Sequence, residues 1–127
     1  MNKKVILTSK APQPIGPYSQ ATEINGFVYC SGQIALHPVS GQVVGTDVET
    51  QAKQVLENLM AVLEAAGCTA ENVVKTTIFL KSMNDFPKVN EIYGTYFKFH
   101  PPARSTIEVA RLPKDVLVEV EAIAYKG

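Results

Sequence analysis

Arg104 and Glu119 are the two side chains of this chain whose types and placement point most directly to chemistry on a small anion. Arg104 is one of two arginines among the 12 basic residues, and it stands where the His100-Pro101-Pro102 loop enters a predicted strand. A planar guanidinium in such a place can grip a carboxylate through two parallel N–H bonds. Thr106, two residues further on, projects from the same face of that strand. Glu119, on a nearby predicted strand and of the same expected parity, either neutralises the arginine or holds a water molecule. A structural Arg–Glu pair on a sheet face and a binding site both remain open on these facts.

Further candidates lie in the first third of the chain. Ile15-Gly16-Pro17-Tyr18-Ser19-Gln20 places the Tyr18 hydroxyl just before a predicted hairpin. Ser31-Gly32-Gln33 ends that hairpin with a glycine that lets a bound group approach the backbone closely. His37 and His100 both stand beside prolines in predicted loops, where a solitary histidine is usually solvated rather than a ligand or general base. Cys30 falls in an apolar run and Cys68 follows a helix stop, with neither CxxC nor Cys/His spacing, so both read as inert thiols. No Walker loop, dinucleotide fingerprint, HExxH helix or nucleophile elbow occurs. No metal and no cofactor is expected.

The elements that must position these residues are legible from periodicity. Val48, Ala52, Val55, Leu59, Val62 and Ala66 recur at helical spacing and predict a helix over 47–66, with Thr46 and Glu49 as a capping box and Gly67 as its left-handed stop. A second helix is predicted over 84–97, with Asn84 as N-cap and its apolar side formed by Phe86, Val89, Ile92, Tyr93, Tyr96 and Phe97. Asn25-Gly26 marks a two-residue hairpin between strands 21–24 and 27–31, and further strands are predicted over 73–81, 104–110 and 117–125. Strands, helix, strand, helix and two strands in a short chain predict an α+β fold: one mixed sheet with both helices on one face.

Alternation then assigns the faces. Val74, Thr76, Ile78 and Leu80 should meet the helices, as should Val118, Val120, Ala122 and Ala124. The other face is expected to carry Arg104, Thr106, Glu108, Glu119 and Glu121 among Phe79, Leu117 and Ile123, together with Phe27 and Tyr29. Apolar anchors mixed with charges suit a subunit interface better than a solvated face, so self-assembly is expected, with the chemistry between subunits.

Composition closes off other classes. The 127 residues, 46 % of them hydrophobic, fit a single domain over 1–127 with no apolar run of membrane-spanning length. Twelve basic residues balance 12 acidic ones, so no overall field attracts nucleic acid or an anionic membrane. The opening MNKKVILTSKAP lacks a secretion-type apolar core, and a reducing, cytoplasmic location is expected.

In combination, A-P-x-x-I-G-P-Y-S-Q from Ala11 to Gln20, S-G-Q-I from Ser31 to Ile34 and P-A-R-S-T-I-E-V-A-R-L-P-K-D from Pro102 to Asp115 resemble the reactive intermediate deaminases, the RidA or YjgF family, in its archetypal subgroup. The likeness runs over essentially the whole chain. It implies a chorismate-mutase-like α+β fold, a homotrimer with sheets facing inward, and sites in clefts between subunits. The implied activity is that of a 2-iminobutanoate/2-iminopropanoate deaminase, a hydrolase that converts 2-aminoacrylate and its imine tautomer 2-iminopropionate to pyruvate and ammonia. By motif, Arg104 becomes the carboxylate clamp, Glu119 the group that positions or activates water, and Tyr18, Ser31, Gly32 and Thr106 the cleft lining. Thr106 replaces a cysteine of many relatives, and the loop before Arg104 is shorter than in some, which leaves side-chain preference open. A non-catalytic trimer that binds 2-oxo or imino acids and regulates a partner is the alternative. An RNA-directed role, reported for some members, lacks a basic stripe or a histidine pair here.

Overall fold

A computed structural model of the chain describes residues 2–127 and orders them around one six-stranded mixed sheet. The strands are β1 (Lys4–Ile6), β2 (Ala21–Ile24), β3 (Phe27–Gln33), β4 (Val73–Leu80), β5 (Ala103–Glu108) and β6 (Val118–Tyr125), in spatial order β1-β2-β3-β6-β4-β5. All neighbours are antiparallel except β4 and β5. The connection between that parallel pair carries α2 (Phe86–Tyr96), while α1 (Val48–Ala65) packs on β3 and β6. The predicted α+β architecture therefore holds. The short edge strand β1 escaped the periodicity argument because only Val5 and Ile6 mark it between lysines and a polar loop.

Helix α1 forms because its apolar stripe is continuous. Val55, Leu59, Val62 and Leu63 are wholly buried against the sheet, and the polar Gln51 and Asn58 on the same face are buried with their hydrogen bonds satisfied. Gln51 accepts from the Leu117 backbone N–H at 2.8 Å, and Asn58 donates to the Ile34 and Leu36 carbonyls, so the helix is tied to the segments that lead into β6 and out of β3. The N-terminal cap differs from expectation. Asp47, not Thr46, accepts from the backbone N–H and the hydroxyl of Thr50, each at 2.9 Å. At the other end Gly67 adopts φ 80, donating to Glu64, while Cys68 donates back to Leu63, which is the expected left-handed stop. Helix α2 begins two residues later than predicted, because Met83–Asp85 form a 3-10 turn capped by Ser82, whose side chain accepts from the Asn84 N–H. The Asn25-Gly26 turn has φ 52 and 82, as a two-residue hairpin requires.

Alternation on β6 is as predicted, with Val118, Val120, Ala122 and Ala124 buried beneath the helices. Strand β4 departs from it. A register shift between Val73 and Lys75 turns Val73 inward and leaves Val74 46 % exposed, so the inward set is Val73, Thr76, Ile78 and Leu80. Leu117, just ahead of β6, packs against the core rather than facing away from it. Among the described residues no helix is long and apolar enough to cross a membrane. Leu59→Ala, which empties a fully buried position between α1 and the sheet, should cost about 2–5 kcal/mol. A urea midpoint lowered at unchanged slope would register it.

Candidate active site

The site starts from an irregularity in β3. Between Cys30 and Gln33 its pairing with β6 slips by one residue, so Ser31 and Gly32 form a bulge opposite the Glu119–Glu121 segment. The bulge lets the Glu119 side chain lie directly against Gly32. A Cβ added at position 32 would approach Glu119 Cδ to 2.9 Å and Cγ to 3.1 Å, with Oε2 nearer still. Glycine at 32 is thus required by close approach rather than by backbone angle.

A cavity of about 350 Å³ opens around this contact. Its walls are the Pro12–Tyr18 loop, the Ser31–Gly32 bulge with Ile34, and the Pro113–Lys114 turn, so Tyr18, Ser31, Gly32 and Glu119 come together as expected. The loop is held by Gln20, a buried residue whose role sequence reasoning did not foresee. Its side-chain oxygen accepts from Thr8 N–H at 2.7 Å, and its amide donates to the Thr8 and Pro12 carbonyls at 3.0 and 2.9 Å. The signal was a lone glutamine at the mouth of a hairpin, and nothing in its spacing separates an anchor from a solvated side chain. Ser31 donates from its hydroxyl to the Ser19 carbonyl at 2.6 Å and lines the cavity. Lys114, also missed, reaches the cavity from a turn in which it and Asp115 both have φ 55, held by the Arg111–Asp115 ion pair at 2.7 Å.

Glu119 is half-buried and makes neither a salt bridge nor a hydrogen bond among the described residues. Burial, with a smaller contribution from the like charge of Glu121, raises its carboxyl pKa above the ordinary glutamate value. A carboxylate prepared in this way is a better proton acceptor than a solvated one. The two cysteines are buried and unpaired, and burial pushes the Cys30 thiol up to about 12, in line with an inert role. His37 is a turn residue whose Nδ1 accepts from the Val39 and Ser40 backbone N–H groups.

Arg104 and Thr106 correct the sequence reading. In the parallel β4–β5 ladder Arg104 lies beside Thr76, Thr106 beside Ile78 and Glu108 beside Leu80, all on the helix side of the sheet. Glu119 lies beside Phe79 on the opposite side, with Glu121 and Ile123. Arg104 and Glu119 therefore do not share a face within one protomer. The reason is that alternation sorts a strand into two sets without saying which set turns inward, and on the edge strand β5 little apolar content decides the matter. Arg104 is exposed, rests on the rings of Phe86 and Tyr93 and donates to Asn90, with no carboxylate partner among the described residues. The open face carries Phe79, Glu119, Glu121 and Ile123 as expected, beside an aromatic cluster in which Phe27 and Tyr125 stack at 4.6 Å.

This arrangement can be set beside known proteins. The family model described as Endoribonuclease L-PSP matches residues 8–126. The chain belongs to this YjgF/RidA family. It is 55 % identical over 125 residues to the mouse 2-iminobutanoate/2-iminopropanoate deaminase, covering 98 % of this chain and 93 % of that one. It is 60 % identical over 126 residues to a RutC family protein of Synechocystis, covering 98 % and 97 % of the two chains. Among solved structures, Escherichia coli TdcF with bound serine superposes with TM-score 0.93 at 43 % identity, covering 98 % of this chain and 99 % of that one.

Gly32→Ala should expel the Glu119 side chain from the bulge, and its carboxyl titration should fall toward that of a solvated glutamate. Carboxyl-carbon chemical shifts read across pH measure this, and a titration equal to the parent's would show that the glycine does not set the carboxylate's surroundings.

Proposed function

We propose that the protein hydrolyses 2-imino acids and their enamine tautomers, including 2-aminoacrylate and 2-iminopropionate, to 2-oxo acids and ammonia. The observation that carries the reading is the Glu119 carboxylate, partner-free and partly desolvated against Gly32 in a cavity that also receives Tyr18 and Ser31. The mouse relative's deaminase activity, at 55 % identity over nearly the full chain, agrees with it. Arg104 supplies the carboxylate clamp and Thr106 lines the cleft beside it. Because the sheet separates Arg104 from Glu119, the working site joins the Arg104 side of one protomer to the Glu119 cavity of its neighbour. The half-exposed apolar side chains Phe27, Tyr29, Tyr125 and Ile107 on the open face favour such an assembly, a homotrimer with sheets inward. The reducing cytoplasm suits its two free thiols.

The chemistry asks little of the protein. A protonated imine carbon is already electrophilic, so holding the substrate and one water in line supplies most of the advantage. Water adds to the carbon as Glu119 takes its proton, giving a carbinolamine. The raised pKa of Glu119 then allows the same carboxyl to return the proton to nitrogen, and ammonia leaves as the carbonyl forms and the regenerated carboxylate takes up the hydroxyl proton. Tyr18 and Ser31 offer hydroxyls toward the polar atoms of this intermediate, and Gly32 keeps the approach open.

Glu119→Gln should slow imine loss, followed by semicarbazide trapping downstream of a dehydratase, by about a hundredfold while retaining 2-oxo acid binding. Parental turnover in that variant would remove Glu119 from the chemistry, and imine loss no faster with the parent protein than without it would instead favour a receptor that binds these acids without turning them over. Since the reaction needs ionised Glu119, the rate should fall with decreasing pH above the range of an ordinary glutamate. Glu121→Gln, which removes the like charge, should move this acid limb to lower pH. Inactive Arg104→Ala and Glu119→Gln proteins, unfolded together and reassembled in equal amounts, should regain about a quarter of parental activity, because one in four neighbour pairs then carries both intact groups. No recovery would place both groups in the same protomer's site.

A further inference from the structure

Arg104 is held by an unusual set of partners. Its guanidinium donates to Asn90 Oδ1 at 2.8 Å, and its central carbon lies 4.9 Å from the Tyr93 ring centroid and 5.3 Å from that of Phe86. Phe86, Asn90 and Tyr93 stand four and three residues apart on α2 and so share one helical face. Tyr93 is itself fastened to the sheet, since its hydroxyl and Thr76 Oγ1 share a buried 2.7 Å hydrogen bond, and Thr76 is the ladder neighbour of Arg104. Strand and helix together therefore fix the ring on which the cation rests.

All of these partners are neutral. Aromatic faces attract a cation through their quadrupole, and an amide oxygen accepts one N–H, but neither cancels the positive charge. A carboxylate at the same place would bind the guanidinium more strongly and would compete with any anion that arrived later. A guanidinium has five N–H donors in a fixed plane, so one bond to Asn90 sets that plane while an edge stays free for bidentate recognition.

We infer that Asn90 is a positioning residue for the carboxylate clamp: from α2 it orients the Arg104 guanidinium over Tyr93 while leaving its charge uncompensated for the substrate. The inference rests on Arg104 being the clamp. It predicts an order of effects that a merely structural role for an exposed helix residue would not produce. Removing the amide loosens the guanidinium, and replacing it with an anion both orients and quenches it.

The test compares Asn90→Ala, Asn90→Asp and Arg104→Ala with the parent, using 2-oxobutanoate binding by calorimetry and KM and kcat for 2-iminobutanoate generated in place. Asn90→Ala should weaken 2-oxobutanoate binding by about threefold to tenfold, the worth of one ordinary solvent-exposed hydrogen bond, and raise KM by a similar factor with kcat within about twofold of the parent. Asn90→Asp should be weaker still than Asn90→Ala, although its carboxylate is nearly isosteric with the amide. Thermal melting of both variants should stay close to the parent's, since Asn90 is exposed. If both bind like the parent while Arg104→Ala does not, the positioning role is overturned and the clamp survives. If Asn90→Asp binds as well as the parent and better than Asn90→Ala, the requirement for a neutral partner is overturned. Parental binding by Arg104→Ala would overturn the clamp itself and this inference with it.

Discussion

The close approach of the Glu119 carboxylate to Gly32, into space that a Cβ there would occupy, is the constraint on which the candidate site depends, and it is made possible by the central position of β6. That strand is paired on both sides, by β3 and β4, and is covered by α1. Its inward residues Val118, Val120, Ala122 and Ala124 belong to the core, so a slip of one position would bury Glu119 and Glu121 and expose the core set. The hydrophobic load on one face thereby fixes the direction of the carboxylates on the other. The bulge at Ser31 and Gly32 then removes the neighbour that would otherwise push Glu119 back into solvent. Desolvation of the carboxyl follows from that geometry, and its raised pKa is a consequence of packing rather than of any dedicated partner.

The sheet that orients Glu119 also insulates it. Arg104 lies across the sheet, over α2, with an amide and two rings for company. Had both groups occupied one face at neighbouring positions, folding would have paired them, and a closed ion pair would have lowered the carboxyl pKa and occupied the guanidinium. Placement on opposite faces leaves Glu119 unpaired and the Arg104 guanidinium without a carboxylate partner among the described residues. The exposed aromatic cluster of Phe27, Tyr29 and Tyr125 beside the Glu119 row leaves an apolar surface on that face.

Much of this was legible in the residues. The α1 stripe, the Asn25-Gly26 turn and the alternation of β6 each carry a period or a dipeptide with few alternative readings, and each appears as expected. The convergence of Tyr18, Ser31, Gly32 and Glu119 was legible through motif likeness, since no spacing in the chain joins residues so distant in sequence. The failures share a cause. Val74, the side of β5 and the Asp47 cap depend on register or on one-residue choices, which local patterns leave nearly degenerate. Alternation alone could not tell that Arg104 and Glu119 diverge, because the decision lies in the pairing of β4 with β5. Gln20 and Asn90 were invisible for a related reason: a single amide gives no periodic signal, and its importance comes from what surrounds it.

The division of labour in the proposed function follows from where each group sits relative to solvent. Substrate carboxylate recognition needs a full positive charge, which an exposed guanidinium on aromatic faces retains because the rings attract it without neutralising it. Proton transfer needs a carboxylate of raised pKa, which a partly buried and unpaired glutamate provides at some expense of protomer stability. One surface is thus prepared by neutral partners and the other by the lack of any partner, and each would lose its character if the two met within the same fold. A sheet with a helical face and an open face satisfies both conditions in 127 residues. In the proposed function, association is the step that brings a retained charge and a desolvated base to the same small molecule.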